Sequence, residues 1–132
     1  MSPGEVVRVL VYAPSQARAT WIESELADKT VMLQIGFSVS QVVSALVEDP
    51  PPRPQILIAD FDALNAGEIM HLHVLREQGW FGRIIALGEV PLALISSLGV
   101  ECVLVPPFAR DSLRNVITNA GFVAATTRLP VL

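Results

Sequence analysis

The chain of 132 residues suits a single domain, because one hydrophobic core usually spans about 100 to 150 residues. Hydrophobic residues make up 52% and charged residues 17%, against roughly 25% charged in ordinary soluble domains, which excludes a disordered chain. Thirteen acids against nine bases, net −4 with no basic run, exclude a surface built to neutralise phosphates, so no nucleic-acid partner is expected.

Apolar stretches fall far short of the ~20 residues of a membrane-spanning helix, and Met1 to Glu5 lacks the basic start of a signal peptide. A cytoplasmic protein with no membrane insertion is expected. The lone Cys102 can form neither an internal disulfide nor a thiolate zinc site, and it reads as a small buried hydrophobe in Glu101-Cys102-Val103-Leu104-Val105. Eight of the nine bases are arginine, leaving Lys29 as the only lysine.

Five segments rich in β-branched residues alternate with helical ones, which predicts an α/β fold with a parallel sheet covered on both faces. The first strand runs from Val6 to Tyr12, and Ser15 caps a helix reaching about Asp28, with Ala19, Ile22 and Leu26 inward. Val31 to Gly36 is the second strand. Its helix runs from Val39 to about Val47 after a Ser38 cap and is stopped by Pro50, Pro51 and Pro52. Ile56 to Asp60 forms the third strand, followed by a helix from Ala66 to Gln78 that ends at Gly79. The fourth strand is Arg83 to Leu87, with a short helix from about Pro91 to Leu98 closed by Gly99. Cys102 to Val105 is the fifth strand, and the last helix starts near Arg110 or Asp111 and ends at Gly121. Residues 1–121 then form the domain, and 122–132 an apolar tail.

The stretch Pro54-Gln55-Ile56-Leu57-Ile58-Ala59-Asp60-Phe61-Asp62 resembles the third strand of a response-regulator receiver domain, with Asp60 in the place of the phosphoaccepting aspartate. Val105-Pro106-Pro107-Phe108 is similar to the Lys-Pro-Phe signature after the fifth receiver strand. Pro107 and Phe108 keep that motif, and the resemblance implies a cis peptide bond before Pro107. It covers about residues 6 to 120. It implies a doubly wound, flavodoxin-like sheet of five strands in the order 2-1-3-4-5, with Asp60, Ala13, Gly88 and Pro106 converging at the carboxyl edge.

The departures bear on function. Where receivers hold Mg²⁺ with an acidic pair, this chain has Ala13 and Pro14, neither of which can coordinate a cation. The hydroxyl residue that reads the phosphoryl group falls on Gly88, and the pairing lysine on Pro106. Without those groups the cationic environment that drives phosphoryl transfer is absent, so Asp60 is expected to remain unmodified. From Gly88 to Pro106 is eighteen residues, about four fewer than most receivers have, and that shortens the fourth helix by roughly one turn.

Other chemistry finds little support. His71 and His73 stand about 200° apart on a helix and cannot share one metal ion. Asp62 and Glu89 read as solvated loop carboxylates, with an unusual metal site as the alternative. There is no glycine-rich phosphate loop, and Ser15, Ser96 and Ser97 have no histidine relay. Trp80 and Phe81 read as closing the bottom of the core, with an exposed aromatic anchor of an interface as the alternative, and Trp21 as a half-exposed core edge.

Leu92, Leu94, Ile95 and Leu98 on the fourth helix, with Leu113 and the tail, supply more apolar surface than a small domain hides and are candidates for an interface. The expected protein is a pseudo-receiver with no catalytic residue, metal or cofactor. It acts by protein–protein interaction in bacterial signalling or localisation, with another protein or with itself as a dimer. The alternatives are an atypical receiver phosphorylated at Asp60 and a flavodoxin-like domain that binds a small molecule.

Overall fold

The computed structural model describes residues 7–27, 31–48 and 54–117. Five parallel strands, β1 (Val7–Tyr12), β2 (Val31–Gly36), β3 (Ile56–Asp60), β4 (Arg83–Leu87) and β5 (Val100–Leu104), form one sheet in the order β2-β1-β3-β4-β5. The helices are α1 (Gln16–Glu25), α2 (Val39–Glu48), α3 (Ala66–Glu77), α4 (Leu92–Leu98) and α5, described over residues 112–117. A single 3-10 turn, Phe61–Ala63, links β3 to α3. The fold is the doubly wound arrangement expected, and α4 is a stub of 7 residues.

The strands are apolar throughout because both sheet faces are covered. Their alternate side chains feed two cores. Leu10, Tyr12, Leu57, Ala59, Ile84 and Ala86 meet Val42 and Leu46 of α2, Leu72 and Leu75 of α3 and Leu98 of α4. Val9, Val11, Ile56, Ile58, Ile85 and Leu87 meet Ala19 and Ile22 of α1 and Leu113 and Ile117 of α5. β3 lies at the centre and is buried at all five positions, with Val11 beside Ile58 on one side and Asp60 beside Leu87 on the other.

Helix ends follow the residues placed there. The Ser15 hydroxyl accepts from the Arg18 N–H at 3.3 Å, and the Ser38 hydroxyl from the Gln41 N–H at 3.2 Å. Asn65 and Glu68 form a reciprocal capping box at the start of α3. Gly79, with φ 96°, and Gly99, with φ 69°, supply the left-handed turns after α3 and α4.

Several boundaries depart from expectation. β5 begins at Val100, because Gly99 turns the chain straight into the ladder and Val100 pairs with Ile84 across a register shift. α1 closes at Glu25, since Leu26 leaves helical geometry with φ −108°. Asp111 adopts φ 62°, which delays α5 to residue 112. Val6, Asp28, Gly121 and the apolar tail 122–132 lie outside the described residues, and so does the boundary between domain and tail.

Trp80 and Phe81 do not act together. The Trp80 indole N–H donates to the Pro54 carbonyl at 3.0 Å and the ring is buried, whereas Phe81 is 86% exposed. A β-carbon at Gly82 would collide with the Trp80 ring, so the glycine allows the chain to fold back over the indole.

Arg76 holds this end of the molecule together. Its guanidinium donates to the carbonyls of Leu98 at 2.8 Å, Gly82 at 2.7 Å and Trp80 at 3.1 Å, and it lies over the Trp80 ring. Burial holds its pKa below the ordinary arginine value. Arg76→Ala leaves several carbonyls without donors and is expected to cost about 3 kcal/mol, read as a lower urea midpoint at unchanged slope. Arg76→Lys recovers little, because an ammonium cannot reproduce the planar fork.

Candidate functional site

Four strands deliver the site to one edge of the sheet. Tyr12 pairs with Ala59, so Ala13, which follows β1, stands beside Asp60. Gly88 follows β4, and its N–H donates to the Leu104 carbonyl at 2.8 Å, which brings the end of β5 and Pro106 to the same rim. Ala13 and Gly88 are buried there, and Pro14 and Pro106 are exposed. The Pro106–Pro107 peptide bond is cis, and Phe108 packs against Trp21 of α1.

Asp60 is 4% exposed, and its carboxylate lies 3.3 Å from the Arg18 guanidinium. The contact is an ion pair without hydrogen-bond alignment, since neither the Asp60 Oδ1 nor the facing Arg18 nitrogen has an aligned partner. Arg18 is thus a cation at the very place where none was expected, and the sequence-based account of an acidic crevice without positive charge is corrected. The guanidinium also lies 4.8 Å from the centroid of the Phe108 ring, which stacks on Trp21 at 4.6 Å. The signal was available in the spacing: Arg18, Trp21 and Glu25 share the α1 stripe of Ile22, at intervals of three and four residues.

Glu25 completes that stripe. It is 6% exposed, and its two carboxylate oxygens accept from the Asp111 N–H and the Leu113 N–H, each at 3.0 Å. A carboxylate of α1 therefore caps the first turn of α5 across the core, where an anion satisfies unpaired N–H groups and the helix dipole together. Sequence reasoning missed it because the cap lies 86 residues from the turn it serves.

On the other side of the crevice Asp62 takes the space that a side chain at position 88 would occupy. Gly88 has φ 102°, and a β-carbon there would collide with the Asp62 carboxyl group. Asp62 Oδ1 accepts from the Glu89 N–H at 3.3 Å. The β3–α3 and β4–α4 loops are thus joined by a carboxylate of the chain itself. The Tyr12 hydroxyl closes the floor, donating to the Ala63 carbonyl at 3.5 Å, and burial raises its pKa above the ordinary tyrosine value.

Burial pushes the Asp60 carboxyl above the ordinary carboxylate range; the Arg18 charge pulls it back, and the Asp62 charge pushes it up again. The donor set does not fit Mg²⁺, which wants several oxygen ligands: Ala13 and Pro14 offer no side-chain oxygen, and a guanidinium stands against Asp60. Among the described residues no group of three or more His, Cys, Asp or Glu side chains is placed to hold a metal ion. His71 is exposed and His73 half-buried on α3. Cys102 is half-buried rather than fully buried, and burial followed by the Glu101 charge raises its thiol pKa.

The candidate interface residues separate. Leu98 and Leu113 are fully buried, because Leu98 closes the α4 end of one core and Leu113 lies under the Glu25 cap; neither can meet a partner. Ile95 packs partly against the same core as Leu98, and Leu94 is half-buried. Leu92 is 82% exposed, and Val105 is 49% exposed on the rim of a groove formed by Glu89, Val90, Pro91 and Val103.

No family model and no curated protein matches the chain. Solved structures do. A protein of Burkholderia thailandensis described as the pilus assembly protein CpaE is 17% identical, with a TM-score of 0.69 over 88% of this chain and 98% of that one. The chemotaxis response regulator CheY4 of Vibrio cholerae is 17% identical, with a TM-score of 0.71 over 86% and 98%. A pilus assembly-related protein of Burkholderia pseudomallei is 18% identical, with a TM-score of 0.68 over 91% and 92%. The chain therefore has the response-regulator receiver fold, at an identity that establishes architecture and not chemistry.

The raised pKa of Asp60 fixes the sign of a pH effect. Its contribution to stability is present below the ordinary carboxylate range and is lost as pH rises through the raised folded value, where the buried charge must form. Asp60→Asn should therefore unfold at a higher temperature than wild type at pH 7, and the gap should close below pH about 4. Thermal melts across that range check it.

Proposed function

We propose that this protein is a pseudo-receiver: a receiver-fold module that signals by binding another protein and not by accepting a phosphoryl group. The observation that carries this reading is that the crevice is filled from within, by Arg18 against Asp60 and by Asp62 against Gly88. A phosphoryl donor would have to displace the guanidinium and approach two carboxylates without a metal ion. Each missing contact removes stabilisation of order 2 to 4 kcal/mol, by comparison with the loss of one oxyanion donor, so together they slow transfer by several powers of ten. With no reaction to catalyse, the module would not be an enzyme.

A receiver switch needs a group that contacts two states differently. Here the Asp62–Glu89 and Arg18–Asp60 contacts are made by the chain's own residues. The partner would meet one constant surface, and the exposed Leu92 beside the Val105 groove is the apolar patch best placed for it. Two of the similar structures are described as pilus-assembly proteins, which makes the assembly machinery of a bacterial surface appendage a first place to seek that partner.

One observation favours a second reading, an atypical receiver modified at Asp60. Arg18 is a cation in contact with that carboxylate and could neutralise a phosphoryl group there. Intact-mass spectrometry after treatment with acetyl phosphate, with and without Mg²⁺, separates the two. The pseudo-receiver reading expects no added mass; stoichiometric addition at Asp60 would establish the second reading instead. In parallel, Asp60→Asn should retain the proteins captured by wild type from the native host, and Leu92→Asp should lose them.

A further inference from the structure

An open sheet has two edges, and the two edges of this one are protected to different degrees. On the β5 edge Glu101 stands in the strand, bonded to Arg83 at 2.8 Å, and Pro106 and Pro107 follow. Charges and prolines are the usual means by which an edge strand is kept from pairing with another chain. The β2 edge has neither. Its six residues, Val31-Met32-Leu33-Gln34-Ile35-Gly36, carry no charge and no proline, and among the described residues β2 pairs only with β1. Met32 is 55% exposed and Phe37, directly after the strand, is 54% exposed. Beside them a groove of about 690 Å³ runs between β2 and α2, lined by Gln34, Ile35, Phe37 and Gln41.

We propose that β2 is the seam of a homodimer, in which two copies pair antiparallel, edge to edge, into one ten-stranded sheet. A two-fold axis normal to the sheet reverses the strand and keeps each face on its own side, so residues opposite each other must share a face. Val31, Leu33 and Ile35 pack toward α1, and Met32 and Gln34 face the other way. Centring the axis on Leu33 satisfies this rule: Leu33 meets its own copy, Val31 meets Ile35 and Met32 meets Gln34. No charge is buried and none is opposed. That neutrality is what favours a second copy over a charged partner strand.

The strand is roughly 20 Å long, and with a helix layer on either side the edge presents on the order of 500 Å² per copy. A total of about 1,000 Å² lies at the lower end of specific interfaces, so the dimer should be weak and dissociate on dilution.

Sedimentation of the full chain over a wide concentration range tests this directly. Wild type should pass from monomer to dimer. Met32→Lys with Gln34→Lys sets like charges opposite each other and should remain monomeric, with an unchanged far-UV spectrum and melting temperature. Leu92→Asp, at the other end of the sheet, should dimerise as wild type does. Leu33→Cys in a Cys102→Ser background should form a disulfide-linked dimer on mild oxidation, because a residue on the axis faces its own copy on the same side of the sheet, with β-carbons about 4.5 Å apart at a non-hydrogen-bonded site, the upper end of what a disulfide spans. Met32→Cys in the same background should not. A wild type that stays monomeric, a lysine variant that still dimerises, or dissociation by Leu92→Asp would overturn the proposal.

Discussion

A carboxylate at the end of a fully buried central strand must be compensated, and much of this molecule can be understood as that compensation. β3 is enclosed by β1 and β4 at its edges and by helices on both faces, so its last residue, Asp60, leaves water with the rest of the strand. A bare charge in such a place is costly, and burial raises the Asp60 pKa even against the pull of the Arg18 charge. Arg18 supplies the counter-charge from α1. To hold a long, flexible arginine over the crevice the fold provides a ring beneath it, Phe108, and a second ring against the first, Trp21. The electrostatic demand of one residue thereby organises one helix and a loop.

The same helix ties down the far end of that loop. Phe108 and the first turn of α5 would be free to swing away from the sheet if only Arg18 held them. Glu25 prevents this by accepting from the Asp111 and Leu113 amides at the start of α5, and the Arg114 guanidinium returns to the Glu25 carbonyl at 3.1 Å. These are charge-assisted bonds in a partly buried setting, the stronger class of protein hydrogen bonds. α1 is therefore both a core helix, through Ala19 and Ile22, and a clasp, through Arg18, Trp21 and Glu25. The two roles coexist because residues three and four apart share one face.

How far the sequence revealed this depends on whether the signal is local. Strand positions, the Ser15 and Ser38 caps, the turns at Gly79 and Gly99 and the short α4 follow from periodicity and turn chemistry, and the structure reproduces them. The converging strand ends follow from topology once the order of the sheet is known. Leu98 and Leu113 misled because an apolar residue on a helix looks the same in sequence whether it faces the core or a partner. Arg18 and Glu25 were passed over because their partners, Asp60, Phe108 and the α5 start, are distant in sequence. Gly88 was legible as a missing hydroxyl but not as the space that Asp62 fills, because that needs the two loops side by side.

The arrangement of faces bears on how such a module could act without a covalent switch. A constant surface gives a constant affinity, so its output would be governed by concentration and by the number of sites presented together. β2 and β5 are opposite edges of the same sheet, and the exposed Leu92 and Val105 lie toward the β5 edge. Two copies joined through β2 would therefore hold their Leu92 surfaces at opposite ends of ten strands, roughly 40 Å apart at about 4.8 Å per strand. A partner with repeated sites at that spacing would be bridged, and its apparent affinity would exceed that of either surface alone by the effective concentration of the second site. Dimerisation would then change output without any covalent switch, because it leaves each contact as it was and alters how many are made at once.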